Sequence, residues 1–184
     1  MTYLIIFCGA QLSGKTTLVK KLSNLIQVPY VSIDEIRRRL YGYLSSPRDW
    51  KNQEIKEQEN NKTKFAYDCL FLFIEKCLQA KVSLIAEMPH LGSREHQLRR
   101  IIRKGKAKLK IVWCQVLNNE AKEIKKRAAK RLKDKNLAPI RKSDYLIFNS
   151  KNQRPSIPHL IIDTSRNIQD SLRKITQYVA LTSR

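Results

Sequence analysis

Residues 3–22 read YLIIFCGAQLSGKTTLVKKL. An apolar, β-prone run, Tyr3 to Cys8, comes first, and a loop bounded by Gly9 and Gly14 follows. From Lys15 the apolar positions Leu18, Val19, Leu22, Leu25 and Ile26 recur at helical spacing. A short apolar run without polar alternation reads as a strand covered on both faces, the kind found in parallel sheets. The loop, Gly9-Ala10-Gln11-Leu12-Ser13-Gly14-Lys15-Thr16, matches the phosphate-loop pattern G-x-x-x-x-G-K-[S/T] throughout. In such a loop the backbone N–H groups of residues 10–16 turn inward around a β-phosphate, and the helix N-terminus adds positive potential. The glycines let the backbone approach without a Cβ in the way. Lys15 would bridge the β- and γ-phosphates, and the Thr16 hydroxyl would bind Mg²⁺. Thr17 is either the next helical residue or a contact to the α-phosphate. The pattern specifies a nucleotide phosphate donor and is silent on what receives the phosphate.

The rest of the chain repeats the strand-then-helix rhythm. YVSI (30–33) is a second short strand after Pro29, and DEIRRRL opens a helical turn that fades into the loop YGYLSSPRDW. A long helix is expected over 51–80, with Ala66, Cys69, Leu70, Phe73, Ile74, Cys77 and Leu78 on one face. VSLIAE (82–87) is the third strand, a basic helix covers 93–104 with Leu98, Ile101 and Ile102 inward, and LKIVWCQV (109–116) is the fourth strand with Trp113 buried in it. A charged helix (119–133), a basic loop (134–142) and a short helix in SDYLIFNS lead to the fifth strand, PHLIID (158–163). The last helix carries Ile168, Leu172, Ile175 and Val179 inward. Five apolar strands alternating with helices predict an α/β fold, a five-stranded parallel sheet with helices on both faces. The length of 184 residues fits one domain.

Composition narrows the class. No run of 18 apolar residues is present, which argues against a transmembrane helix. The N-terminus has neither a basic n-region nor a small-residue cleavage site. Cys8, Cys69, Cys77 and Cys114 form no C-x-x-C pair, so reduced thiols without a disulfide partner, in the cytoplasm, are expected. His90, His96 and His159 have no metal-ligand spacing. Charge is the outlier: 37 basic against 16 acidic residues give +21. Between Arg94 and Lys142 stand 18 basic and 4 acidic residues, so +14 of that excess lies in 49 positions. Such a field suits polyanionic partners, or it is solvated surface.

In parallel α/β sheets ligands gather at the carboxyl ends of the strands, and the chemistry-bearing residues fall there. Asp34, just past the second strand, can accept the proton of an attacking hydroxyl, with Arg37 one turn on; alternatively Asp34 is only a helix N-cap. Glu87 ends the third strand, where a carboxylate can touch Mg²⁺ through water, unless it is a partly exposed strand-end acid. Arg127 and Arg131, at i and i+4 in KKRAAKR, can reach one face and stabilise charge on a transferring phosphoryl group, or belong to a solvated helix face.

These features in this order resemble the small P-loop kinases that include phage polynucleotide 5′-hydroxyl kinase, the zeta-toxin kinases and chloramphenicol phosphotransferase, together with AAA-type kinases of similar length. Asp34 and Arg37 match the family's Asp-x-x-Arg, which implies that Asp34 is the general base and Arg37 engages the acceptor. The resemblance implies the three-layer P-loop NTPase fold and a mobile lid after the fourth strand, approximately 125–142, with Arg131 the better and Arg127 the second match for its phosphate-contacting arginine. It also implies ATP as donor with Mg²⁺, and likens Ile162-Asp163-Thr164-Ser165 to the family's last strand end. Ala10-Gln11-Leu12-Ser13 departs in lacking the Pro or second Gly often seen there, and strand three ends in Glu rather than Asp. Expected acceptors are a polynucleotide 5′-hydroxyl, with Tyr41, Tyr43, Trp50, Tyr145 or Phe148 to stack bases, or a small phosphorylated or nucleotide-like metabolite. The rival classes are a nucleotide-hydrolysing switch with no acceptor and a nucleic-acid-binding module with a vestigial phosphate loop.

Overall fold

The computed structural model describes residues 1–42, 52–117, 120–132 and 154–180. Tyr43 and Trp50, the lid from 133 to 142, and the expected helix at 143–150 with Tyr145 and Phe148 lie outside the described residues.

The elements run β1 (Tyr3–Gly9), α1 (Lys15–Ile26), β2 (Tyr30–Ser32), α2 (Ile33–Tyr41), α3 (Gln53–Gln79), β3 (Leu84–Glu87), α4 (Glu95–Gly105), β4 (Lys108–Gln115), α5 (Glu120–Leu132), β5 (Leu160–Asp163) and α6 (Ile168–Ala180). All four strand pairings are parallel, in the order β2-β3-β1-β4-β5. The reason is visible in β1. Its successive side chains alternate between faces, and both faces are covered. Leu4, Ile6 and Cys8 enter one core with α3 and α4, while Ile5 and Phe7 enter the other with α1 and α6. The result is the three-layer α/β arrangement of the P-loop NTPase fold.

Two expectations change. On α3, Ala66, Leu70, Ile74 and Leu78 are buried as expected, but Phe73 is 48% exposed and Cys69 and Cys77 are only partly covered. Tyr67 and Phe71 take their places in the core. Phe73 stands about 100° round the helix from Ile74, outside the stripe that faces the sheet. The turn after β2 is a full helix, α2, rather than a fading turn. Among the described residues no helix is long and apolar enough to cross a membrane.

Register positions the site. Phe7 pairs with Glu87, and Ser32 pairs with Glu87 from the other side. The ends of β1, β3 and β2 therefore lie in one row. Gly9 pairs with Cys114 and Gln115 with Asp163, which continues the row across β4 and β5.

Candidate active site

The loop from Gly9 to Gly14 opens this row. Its shape depends on three left-handed residues: Gly9 at φ 141°, Gly14 at φ 82° and, unusually, Leu12 at φ 61°. A non-glycine in that region costs roughly 1–2 kcal/mol. Leu12 offsets this by packing with Ala10 against buried Val116 and Ile124. The residue that seemed to break the family's loop pattern is thus an apolar anchor. Lys15 is 8% exposed, and its Nζ donates to Gly9 O (2.8 Å), Ala10 O (2.7 Å) and Ser13 Oγ (3.4 Å). The ammonium is held over the loop that a phosphate would enter.

Thr16 Oγ1 donates to Glu87 Oε1 at 2.6 Å, while Glu87 Oε2 is buried and has no hydrogen-bond partner. Glu87 is 3% exposed, not a half-solvated strand-end acid. Burial raises its carboxyl, and the Lys15 ammonium and the Thr16 hydroxyl work against that rise. An orphaned, buried carboxylate oxygen beside a hydroxyl fits a hard cation such as Mg²⁺, which takes oxygen ligands and keeps waters. No group of three or more His, Cys, Asp or Glu side chains is placed to hold a metal among the described residues. A cation here would rest on Thr16, Glu87 and the nucleotide's own oxygens.

Arg127 closes the loop from α5. Its Nη1 donates to Leu12 O (2.9 Å) and Thr164 Oγ1 (3.1 Å), its Nη2 to Thr164 O (2.6 Å), and its Nε to Glu123 (2.9 Å). The guanidinium ties the phosphate loop to the turn after β5. Arg131, one turn further on, lines the same cleft.

The turn after β5 is held in turn by Asp163, whose side chain is 7% exposed. It accepts from Leu117 N (3.2 Å), Ser165 N (3.0 Å) and Ser165 Oγ (2.7 Å). Burial alone would raise this carboxyl; the Ser165 and Leu117 donors and the Arg166 guanidinium outweigh it and hold it below its ordinary value of 3.8. A carboxylate with a depressed folded pKa adds stability above its unfolded value, and that stability is lost as pH falls through the folded one. Asp163→Asn is therefore expected to lower stability at pH 7 by about 1–3 kcal/mol. The gap to the wild type should narrow in acid, as read by urea denaturation at both ends of the range.

A cleft of about 1250 Å³ joins these parts, lined among others by Gln11, Gly14, Lys15, Thr16, Thr17, Asp34, Glu87, Lys126, Arg127, Lys130 and Arg131. Asp34 is exposed on its rim. No side-chain capping bond forms at the start of α2, and its N-cap is Ser32. Asp34 is thus not the N-cap that the sequence alone left open. Arg37 does not line the cleft. It is largely buried against α3, with Nη2 3.8 Å from Glu59 Oε2. Burial lowers its pKa, and the carboxylates of Asp34 and Glu59 oppose that.

Sequence reasoning missed Glu59, and read Thr164 only as part of the last strand's end. Glu59 sits in the polar half of α3 and carries no motif; only its burial, at 5% exposure, marks it. The basic stretch is also divided. Lys126, Arg127, Lys130 and Arg131 face the cleft, whereas α4 descends the other face, where Lys104 pairs with Glu75 of α3 (3.3 Å).

A family model described as an AAA domain matches residues 4–144. No curated protein matches the chain. Among solved structures, a candidate kinase from Chloroflexus aurantiacus superposes with a TM-score of 0.73 at 19% identity, over 99% of this chain and 98% of that one. A sugar kinase from Janibacter sp. HTCC2649 gives 0.65 at 15% identity, over 99% and 96%. Kti12 from Chaetomium thermophilum, solved with ADP-AlF3, gives 0.67 at 17% identity, over 96% and 98%. At these identities the likeness is one of fold.

Proposed function

The chain belongs to the AAA domain family, and from that premise we propose that it is a P-loop kinase of the Asp-x-x-Arg type, passing the γ-phosphoryl group of ATP to a hydroxyl. The observation that carries the reading is the placement of Asp34 on the rim of the cleft that Lys15, Thr16 and Glu87 line. A carboxylate exposed on that rim is placed to take the proton of a bound hydroxyl.

The backbone of residues 9–16 and Lys15 would hold the β- and γ-phosphates. Thr16 and Glu87 would hold Mg²⁺, which would supply charge neutralisation at the phosphates. Asp34 takes the acceptor's proton as the acceptor oxygen bonds to the γ-phosphorus and the bond to the β–γ bridging oxygen breaks, leaving ADP. Arg131 is assigned to the transferring group. Arg127 is better suited to positioning, because its donors already serve Leu12, Thr164 and Glu123. Little covalent work falls to the protein, so positioning and electrostatics dominate.

Transfer of labelled γ-phosphate to a panel of oligonucleotides, nucleosides, sugars and phosphorylated alcohols tests this. Asp34→Asn should cut transfer by about 10²–10⁴-fold and leave ATP binding intact. Release of free phosphate alone, unchanged in the variant, would sink the kinase reading in favour of a hydrolytic switch.

A further inference from the structure

Beside Asp34, away from the phosphate loop, lies a cluster in which cations outnumber anions. Arg37 and Lys62 share one carboxylate, that of Glu59, at 3.8 and 3.1 Å. Arg37 Nε and Glu59 Oε2 are both buried with no hydrogen-bond partner. Arg94 stands 3.8 Å over the ring of Tyr67, whose hydroxyl donates to His90 O at 3.4 Å. Arg94 has no acidic partner among the described residues. Tyr67 links the two arginines: it lies within the electrostatic reach of Arg94, Arg37 and Asp34 together. His90, between them and the cleft wall at Pro89, is pushed below its ordinary pKa by burial and by the Arg94 guanidinium.

A largely buried guanidinium with an orphaned N–H, sharing the neighbour Tyr67 with a second that has no acidic partner among the described residues, favours an anion that completes both. Guanidinium forks suit phosphate oxygens, which they grip in pairs. Resting on the kinase reading above, we infer that the acceptor is a small alcohol carrying a phosphate group, gripped by Arg37 and Arg94 while its hydroxyl faces Asp34. A small acceptor fits better than a polynucleotide end, because Tyr67 is 3% exposed and Arg94 covers its ring. That leaves no stacking face for a base in the cluster.

The test has two arms. In the first, inorganic phosphate is titrated by NMR into protein saturated with ADP and Mg²⁺. A second phosphate site is expected, weakened roughly tenfold or more in Arg94→Gln and less in Arg94→Lys, and retained in Lys15→Ala. In the second, matched acceptors are compared: glycerol with glycerol 3-phosphate, ribose with ribose 5-phosphate, and a 5′-hydroxyl oligonucleotide. The phosphorylated alcohols should lead their neutral partners by about 100-fold in kcat/KM, with Arg94→Gln acting mainly on KM. Equal use of neutral alcohols, or transfer to the oligonucleotide alone, overturns the inference. So does phosphate binding that ignores Arg94. If phosphate binds through Arg94 but no acceptor is labelled, the kinase reading fails while the anion site stands.

Discussion

Lys15→Ala is expected to reduce phosphoryl transfer by about 10³-fold or more in kcat, with the fold retained. The ammonium is the buried cation nearest the loop's interior, poised by two carbonyls and a hydroxyl. A phosphoryl group in flight spreads negative charge over its oxygens, and a pre-placed cation in a recessed site stabilises that charge without reorganising. An alanine cannot do so. Losing Lys15 also removes a charge that draws the Glu87 carboxyl downward against burial. The structural cost is smaller. Gly9 O and Ala10 O each lose one donor, and a hydrogen bond contributes on the order of 1 kcal/mol. Kinetics alongside thermal unfolding separates the two effects. Transfer within tenfold of the wild type would mean that the loop does not hold the donor.

Gly9→Ala should act on the fold instead, destabilising it by about 4 kcal/mol or more. Gly9 has φ +141°, and a Cβ there would stand 2.1 Å from the carbonyl oxygen of Cys114. That oxygen is backbone of the neighbouring strand, paired in register with Gly9 itself, so it cannot swing aside. Gly9 N also donates to Pro89 O at 2.9 Å, pinning the residue from the β3 side. Relief would require parting β1 from β4 in the middle of the sheet. Gly42→Ala is the control: φ is +73°, but nothing among the described residues lies within 4 Å of the added Cβ. Only backbone strain remains there, about 1–3 kcal/mol. Denaturant midpoints for the pair should differ widely. Similar midpoints would show that β1 and β4 do not approach as closely at this point.

The strands, the helices and the phosphate loop were legible because each is written in contiguous residues. β1 is an unbroken apolar run, α1 begins where Gly14-Lys15-Thr16 ends, and the inward positions of α6 repeat every three or four residues. Asp34 and Glu87 were legible for a related reason, since the end of a parallel strand is itself a sequence position. The Arg127 clamp was not legible, because its partner Leu12 lies 115 residues away and neither residue's neighbours announce the other. Glu59 was hidden for the same reason, a lone acid on a polar helix turn until α2 packs Arg37 against it. The basic stretch from Arg94 to Lys142 read as one field. β4 runs through its middle and separates α4, which packs with α3, from α5, which packs over the phosphate loop, so one part pairs with α3 and another faces the cleft. Local chemistry and periodicity determine the elements and the donor loop; which distant charges meet is decided only when the layers close.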